Sequence, residues 1–203
     1  MYKIAVLISG GGTNLQAVMD NIENGSLNCC IEAVIADSPK AKGIQRAASK
    51  NIDTYILNKA ELGDKLSDEI LKILDKKVEL IVLAGFLSIL NGKLLKKFKD
   101  RIINIHPSLI PSFCGNGMYG IKVHEAAIAY GVKISGCTVH LVDEGTDTGP
   151  ILFQNTVQVT SEDSAKDLQD RVLLEEHAAL SKAIKKFSEG KILVIDRKVY
   201  IEE

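Results

Sequence analysis

Lys3 to Ile8 is a continuous apolar run that leads straight into Ser9-Gly10-Gly11-Gly12-Thr13-Asn14. An unbroken run, rather than an alternating one, is the mark of a strand covered on both faces of a parallel sheet. The glycines allow a tight turn, and a helix pattern follows from about Asn14 to Asn24, closed by Gly25. The same alternation continues along the chain. Strands are expected at Ile31–Ala36, Thr54–Leu57, Leu80–Ala84 and Ile102–Ile105, with helices at Lys42–Lys50, Leu62–Lys77 and Lys93–Phe98. Leu62, Leu66, Ile70, Ile73 and Leu74 share one face of the third helix. Strand and helix in turn predict an α/β fold with a doubly wound, mostly parallel sheet.

Further on, Glu125–Tyr130 reads as a helix, and Ser135–Val142 and Ile151–Val159 as two strands joined by an acidic loop. These two suit antiparallel edge strands. A long helix is expected over about Ser164–Glu189, stopped by Gly190, and then a small hairpin around Asp196-Arg197-Lys198. No repeat or linker interrupts the pattern. One domain over residues 1–203 is expected, with the hairpin at about 191–203 as an appendage.

Composition narrows the class. Of 203 residues, 46% are hydrophobic and 25% charged, with a net charge of -1, so nothing marks a chain built to coat nucleic acid. No apolar run approaches the roughly 20 residues of a membrane span. The first residues lack a small-residue cleavage site and read as a strand, not a signal peptide. Cys29, Cys30, Cys114 and Cys137 form no metal-ligand spacing, so no metal is expected and a reducing, cytoplasmic setting fits.

In such sheets ligands bind beyond the carboxyl ends of the strands. Gly10–Thr13, Phe86–Leu90 and Asn104–His106 all lie at such ends and converge on one crevice. The glycine loop opens a helix, whose free N–H groups and dipole suit a phosphate. It has no Gly-Lys-Ser/Thr, and Leu15 stands where a dinucleotide loop has its third glycine. A phosphomonoester fits better than a pyrophosphate. A plain structural turn explains the loop alone equally well.

Asn104-Ile105-His106-Pro107-Ser108 carries the chemistry. Two-residue spacing on an extended chain points both side chains one way. A later carboxylate, Asp147, completes the parts needed for acyl transfer. When an amine attacks a carbonyl, charge grows on the oxygen, and Asn104 with a protonated His106 would donate to it. One preorganised donor of this kind is worth roughly 3–4 kcal/mol. Asp147 would favour the imidazolium and relay a proton from the amine. Ser108 sits between prolines and reads as a turn, not a nucleophile.

Five segments in order resemble the folate-dependent formyltransferases: Val6 to Gln16, Leu83-Ala84-Gly85-Phe86, Asn104 to Leu109, Gly136 to His140, and Asp147 to Pro150. The similarity runs through almost the whole chain. It implies a Rossmann-like formyltransferase fold. It also implies transfer of a formyl group from 10-formyltetrahydrofolate to the amine of 5-phosphoribosylglycinamide in purine synthesis, by direct attack through a tetrahedral intermediate. Asn104, His106 and Asp147 match the catalytic trio. Gly12, Thr13, Asn14 and Glu176 match the phosphate and ribose grip. Lys65, Leu87, Ser88, Ile89, Leu90, Asn104, Val142, Asp143 and Glu144 match the folate site. The implied partners are two small molecules, with no nucleic acid and no membrane, and the chain is a monomer or homodimer.

There are departures. Lys65 is the only cation near where the family carries arginine, and Ser88 replaces another arginine. The glycine-rich stretch Cys114–Gly120 is longer than the family's and suits either a lid or a surface insertion. Read without the resemblance, Glu176 and His177 suit an exposed helix face. His140 reads as a core or supporting residue, and His124 as a solvated residue at a helix start. A transfer-RNA formylating enzyme would share Asn-x-His-Pro-Ser but adds a C-terminal RNA-binding domain and lacks the triple-glycine loop. A non-enzymatic metabolite-binding module would need the glycine loop without the Asn-His-Asp set.

Overall fold

The computed structural model describes residues 1–202. The strands are β1 (Tyr2–Ile8), β2 (Cys29–Ala36), β3 (Thr54–Ile56), β4 (Leu80–Leu83), β5 (Ile102–His106), β6 (Ile134–Leu141), β7 (Ile151–Gln158), β8 (Ile192–Ile195) and β9 (Lys198–Ile201). The helices are α1 (Thr13–Glu23), α2 (Gly43–Ala48), α3 (Lys59–Leu62), α4 (Leu66–Leu74), α5 (Gly92–Lys97), α6 (Ile121–Tyr130) and α7 (Ala165–Ser188). Seven strands form one sheet in the order β3-β2-β1-β4-β5-β6-β7. The first five in that order are parallel, whereas β6 runs antiparallel to both β5 and β7. The chain winds outward from β1 in both directions, so a crevice opens beyond β1 and β4 where the winding reverses.

The alternation of side chains along β1 feeds two cores. Ile4, Val6 and Ile8 pack in one layer with Leu15 and Val18 of α1 and Leu168, Val172 and Ile184 of α7. Ala5 and Leu7 pack in the other with Leu66, Ile70 and Leu74 of α4 and Leu94 of α5. This two-sided burial is the reason β1 carries no polar alternation. The doubly wound, mostly parallel α/β fold read from the sequence is what the chain adopts.

Local boundaries differ in instructive places. The helix expected over Leu62–Lys77 is split. Asn58 caps α3 by accepting from the Ala60 N–H, Gly63 breaks it at φ 53°, and a 3-10 turn over Gly63–Lys65 precedes α4. A left-handed φ at this glycine ends a helix without the Cβ penalty of other residues. α6 starts at Ile121, not Glu125, directly after Gly120 at φ 56°. α7 has the stop and start expected of it. Its Ser164 hydroxyl and Asp167 carboxylate form a reciprocal capping box. The terminal hairpin, β8 with β9, is a separate two-stranded sheet, and its turn residue Arg197 donates to the Thr148 carbonyl at 2.7 Å. Among the described residues no helix is long and apolar enough to cross a membrane.

Candidate active site

A crevice of about 790 Å³ lies beyond the carboxyl ends of β1, β4 and β5. Thr13 and Asn14 line one part of it, Leu87, Ser88, Ile89 and Leu90 another, and Asn104, His106, His140 and Asp147 stand between.

Sheet register builds the centre. In the β5–β6 pairing Asn104 lies opposite His140, and His106 opposite Thr138. Asn104 Nδ2 is 3.1 Å from His140 Nε2, while His140 Nδ1 is 2.8 Å from the Leu141 carbonyl. A carbonyl only accepts, so the proton of a neutral His140 sits on Nδ1, and Nε2 accepts from the Asn104 amide. That bond sets which way the amide of Asn104 faces. Thr138 fixes the segment after His106. Its hydroxyl donates to the Ser108 carbonyl at 2.6 Å and accepts from the Ile110 N–H at 3.1 Å. Ser108 is buried and bonds the Ser112 carbonyl at 2.6 Å, which makes it part of a turn.

His106 is 4% exposed. Its Nε2 donates to the Phe113 carbonyl at 3.0 Å, leaving Nδ1 facing Asp147 Oδ2 at 3.5 Å. Asp147 takes φ 57° and also accepts from the Gly115 N–H at 2.9 Å. The expected rise in the His106 pKa does not hold. Burial pushes it below the ordinary value, and the Phe113 carbonyl and Asp147 oppose that push without overcoming it. The resting ring is therefore neutral, with its Nδ1 lone pair turned toward the carboxylate. Burial acts to raise Asp147, but the hydrogen bond from the Gly115 N–H opposes it, and the balance holds the carboxyl below its usual range. An anionic acceptor thus stands beside a neutral imidazole, an arrangement that stabilises a proton arriving between them.

At the glycine loop, Gly12 adopts φ 72°, and a Cβ there would lie 2.9 Å from the Gly43 Cα, so only glycine fits. Asn14 is 7% exposed. Its Nδ2 donates to Glu176 Oε2 at 2.7 Å, and its Oδ1 is buried without a partner among the described residues. Glu176 is thereby no exposed helix face. It is buried on the crevice wall, and burial pushes its carboxyl up to about 7, against the lowering effect of the Asn14 bond. His177 beside it is half-buried. Because the folded-state pKa of Glu176 lies above its ordinary 4.5, its favourable contribution is full below that value and is lost as pH rises through about 7. Glu176→Gln is expected to lose less thermal stability than the wild-type chain between pH 4.5 and 7.5. Parallel melting curves over that range check this, and equal slopes would refute it.

The folate-type residues divide. Leu87 and Ile89 are 57% and 55% exposed and present apolar surface to the crevice. The Ser88 hydroxyl turns away and donates to Asp37 Oδ2 at 2.7 Å, which also accepts from Ser9 Oγ at 2.8 Å. Ser9 Oγ in turn accepts from the Leu87 N–H at 2.7 Å, tying this wall to the glycine loop. Val142 and Asp143 line the crevice, and Asp143 Oδ1 accepts from the Gly145 N–H and the Thr148 hydroxyl. Lys65, on its exposed 3-10 turn, and Glu144 stand off the wall. Gly12 is a pivot behind the wall rather than part of it.

The crevice also holds residues that sequence reasoning missed. His124 is 1% exposed, not solvated, and burial, then His106 and Lys166, push its pKa down to about 4. The spacing Val123, His124, Ala127 on the buried face of α6 was the available signal. Lys166, Gln169, Asp170 and Leu173 form a wall along α7, and Asn116–Gly120 covers another side. Cys114 donates to the Pro111 carbonyl at 3.3 Å, and burial followed by Asp147 raises its pKa, which keeps it a thiol. Among the described residues no group of three or more His, Cys, Asp or Glu side chains is placed to hold a metal ion.

A doubly wound α/β sheet with an Asn-His-Asp set at its carboxyl edge defines a group-transfer class without a nucleophilic side chain. The family described as "Formyl transferase" matches residues 2–184, and the chain belongs to it. It is 40% identical over 179 residues to the chloroplastic phosphoribosylglycinamide formyltransferase of Arabidopsis thaliana, with 86% of this chain covered; it spans 61% of that relative's length. It is 36% identical to the phosphoribosylglycinamide formyltransferase of Haemophilus influenzae, over all of this chain and 94% of the relative. Glycinamide ribonucleotide transformylase 1 from Symbiobacterium toebii superposes with a TM-score of 0.91 at 38% identity, covering 100% of this chain and 95% of the other.

Proposed function

We propose that this chain transfers the formyl group of 10-formyltetrahydrofolate to the amine of 5-phosphoribosylglycinamide, a step of purine synthesis. The observation that carries this reading is the His106 ring, held between the Phe113 carbonyl and the Asp147 carboxylate with Asn104 beside it on the same strand. Thr13 and Asn14 take the phosphate end, with Gly12 as the pivot that turns the loop behind them, and Glu176 the ribose. A pterin is a flat body with a polar edge, and it suits the apolar side chains and backbone of Leu87–Leu90 together with Val142 and Asp143. Lys65 and Glu144 receive no contact in this scheme, because they stand off the wall.

The amine attacks the formyl carbon, and negative charge develops on the formyl oxygen. The Asn104 amide donates to that oxygen, its orientation set by His140. The proton released by the amine passes by way of Asp147 to His106 Nδ1. The imidazolium so formed is stabilised on one side by the carboxylate and on the other by the Phe113 carbonyl. Collapse of the tetrahedral intermediate then returns the proton to the departing tetrahydrofolate nitrogen. All of these groups come from one chain, so the chemistry is independent of whether the protein is a monomer or a homodimer. The chain works as a single domain with the hairpin as an appendage, and four free cysteines suit a reducing cytoplasm.

A spectroscopic assay of folate deformylation tests the reading. Formyl loss that requires glycinamide ribonucleotide, with formylated ribonucleotide as product, supports it. Equal loss without the acceptor would make the chain a hydrolase. Calorimetric binding of both molecules with no transfer would make it a binding module.

A further inference from the structure

We infer that Arg46 is a positioning residue for the phosphate of the substrate, holding the Gly11 carbonyl back so that the N–H groups of the glycine loop face the crevice. The inference rests on the reaction proposed above.

An anion is gripped by N–H groups and repelled by carbonyl oxygens. Successive glycines can turn their peptides either way, so a loop of glycines needs something to choose the direction. α2 does this from behind. The Gly43 N–H donates to the Gly10 carbonyl at 3.0 Å, and Arg46 Nε donates to the Gly11 carbonyl at 2.8 Å. Two consecutive carbonyls are thus taken on the side away from the ligand. The backbones must touch for this to happen, and they do. A Cβ on Gly43 would lie 2.6 Å from Ile8 Cδ1 and 3.0 Å from the Gly12 Cα.

The second arm of Arg46 reaches further. Its Nη1 lies 3.2 Å from Gln16 Oε1 on α1, so one guanidinium ties the loop to the helix it opens. On the front side Thr13 and Asn14 line the crevice, and the buried Asn14 Oδ1 has no partner among the described residues. Arg46 itself is exposed and lies off the crevice wall. It therefore acts through the Gly11 peptide and not by touching the ligand.

Two variants separate the hydrogen bond from the charge. Arg46→Met keeps an unbranched side chain out to the position of Nε and removes both the donor and the charge. Arg46→Gln places an amide nitrogen where Nε stood, after the same three carbons, and removes the charge. Steady-state kinetics are measured with glycinamide ribonucleotide and with phosphate-free glycinamide riboside, at saturating 10-formyltetrahydrofolate. For Arg46→Met the KM for the ribonucleotide is expected to rise about tenfold, the order expected from losing one charge-assisted hydrogen bond. Its kcat, its KM for the folate and its kinetics with the riboside should stay within about twofold, and Arg46→Gln should recover most of the lost affinity.

Three results would overturn the inference. One is an unchanged ribonucleotide KM in Arg46→Met. Another is an equal loss with the riboside, together with a lowered melting temperature. The third is rescue by Arg46→Lys but not by Arg46→Gln, which would assign the effect to charge alone. A wild-type chain that fails to formylate the ribonucleotide would count against the proposed reaction. A wild-type chain that succeeds beside an unchanged Arg46→Met would count against Arg46 only.

Discussion

His106→Ala is expected to lower kcat by on the order of 10²–10⁴-fold while the chain remains folded. The ring stands between two fixed acceptors, at 3.0 Å from the Phe113 carbonyl and 3.5 Å from Asp147. Without it the proton leaving the amine has no neutral base to receive it. Asn104→Ala removes the donor to the oxyanion and should cost roughly 10²–10³-fold. Asn104→Asp keeps the shape but sets a carboxylate against the growing negative charge, so it should do no better than alanine. The two residues serve one tetrahedral transition state, and the double variant should fall well short of the product of the single effects. Single-turnover kinetics alongside circular dichroism check these expectations. Full turnover in His106→Ala would remove His106 from the mechanism.

Gly149→Ala is expected to damage both stability and rate, although the side chain gained is a single methyl group. A Cβ at Gly149 would lie 1.8 Å from the Leu141 carbonyl oxygen and 2.7 Å from its carbon. Both are backbone atoms at the end of β6, and they have no flexible end to move aside. The loop must therefore shift, at a cost of roughly 1–3 kcal/mol or more. For a domain of this size each kcal/mol lowers the melting temperature by about 2–4 °C. Asp147 lies two residues away and already sits at φ 57°, with its carboxylate on the Gly115 N–H. A displacement of about 1 Å there is enough to cost on the order of 10²-fold in kcat. Melting curves and kcat are the measurements. A variant that matches the wild type in both would show that the loop yields without moving Asp147.

How far these expectations were open to sequence reading differs from residue to residue. β1 and the glycine loop were legible because an unbroken apolar run and consecutive glycines are local signals. The two-residue spacing of Asn104 and His106 was legible for the same reason, since strand geometry alone points both side chains one way. The split of the expected Leu62–Lys77 helix was harder to see, because the apolar stripe continues across it. Gly63 at φ 53° was the break, and it left Lys65 on an exposed turn outside the crevice. His124 was misplaced because α6 begins four residues earlier than its polar start suggested.

The direction of the His106 pKa was also beyond the sequence. A neighbouring carboxylate argues for a rise, and burial argues for a fall. Which wins depends on how many atoms close over the ring, a quantity that has no local sequence signature.

The sequence by itself determined the layers, the order of strand and helix, the glycine loop, and the identity of the Asn, His and Asp groups. Each of these is written in periodicity, in glycine, or in residue type at short spacing. The antiparallel pairing of β6 with β7 was expected, and only the tertiary structure decided that β6 also lies antiparallel against β5, and so sets His140 against Asn104. It alone brought Glu176 to Asn14 across 162 residues, and Arg46 to the Gly11 carbonyl across 35. The physical reason is that register and long-range pairing are settled by the packing of whole layers against one another, and local propensity does not contain that information.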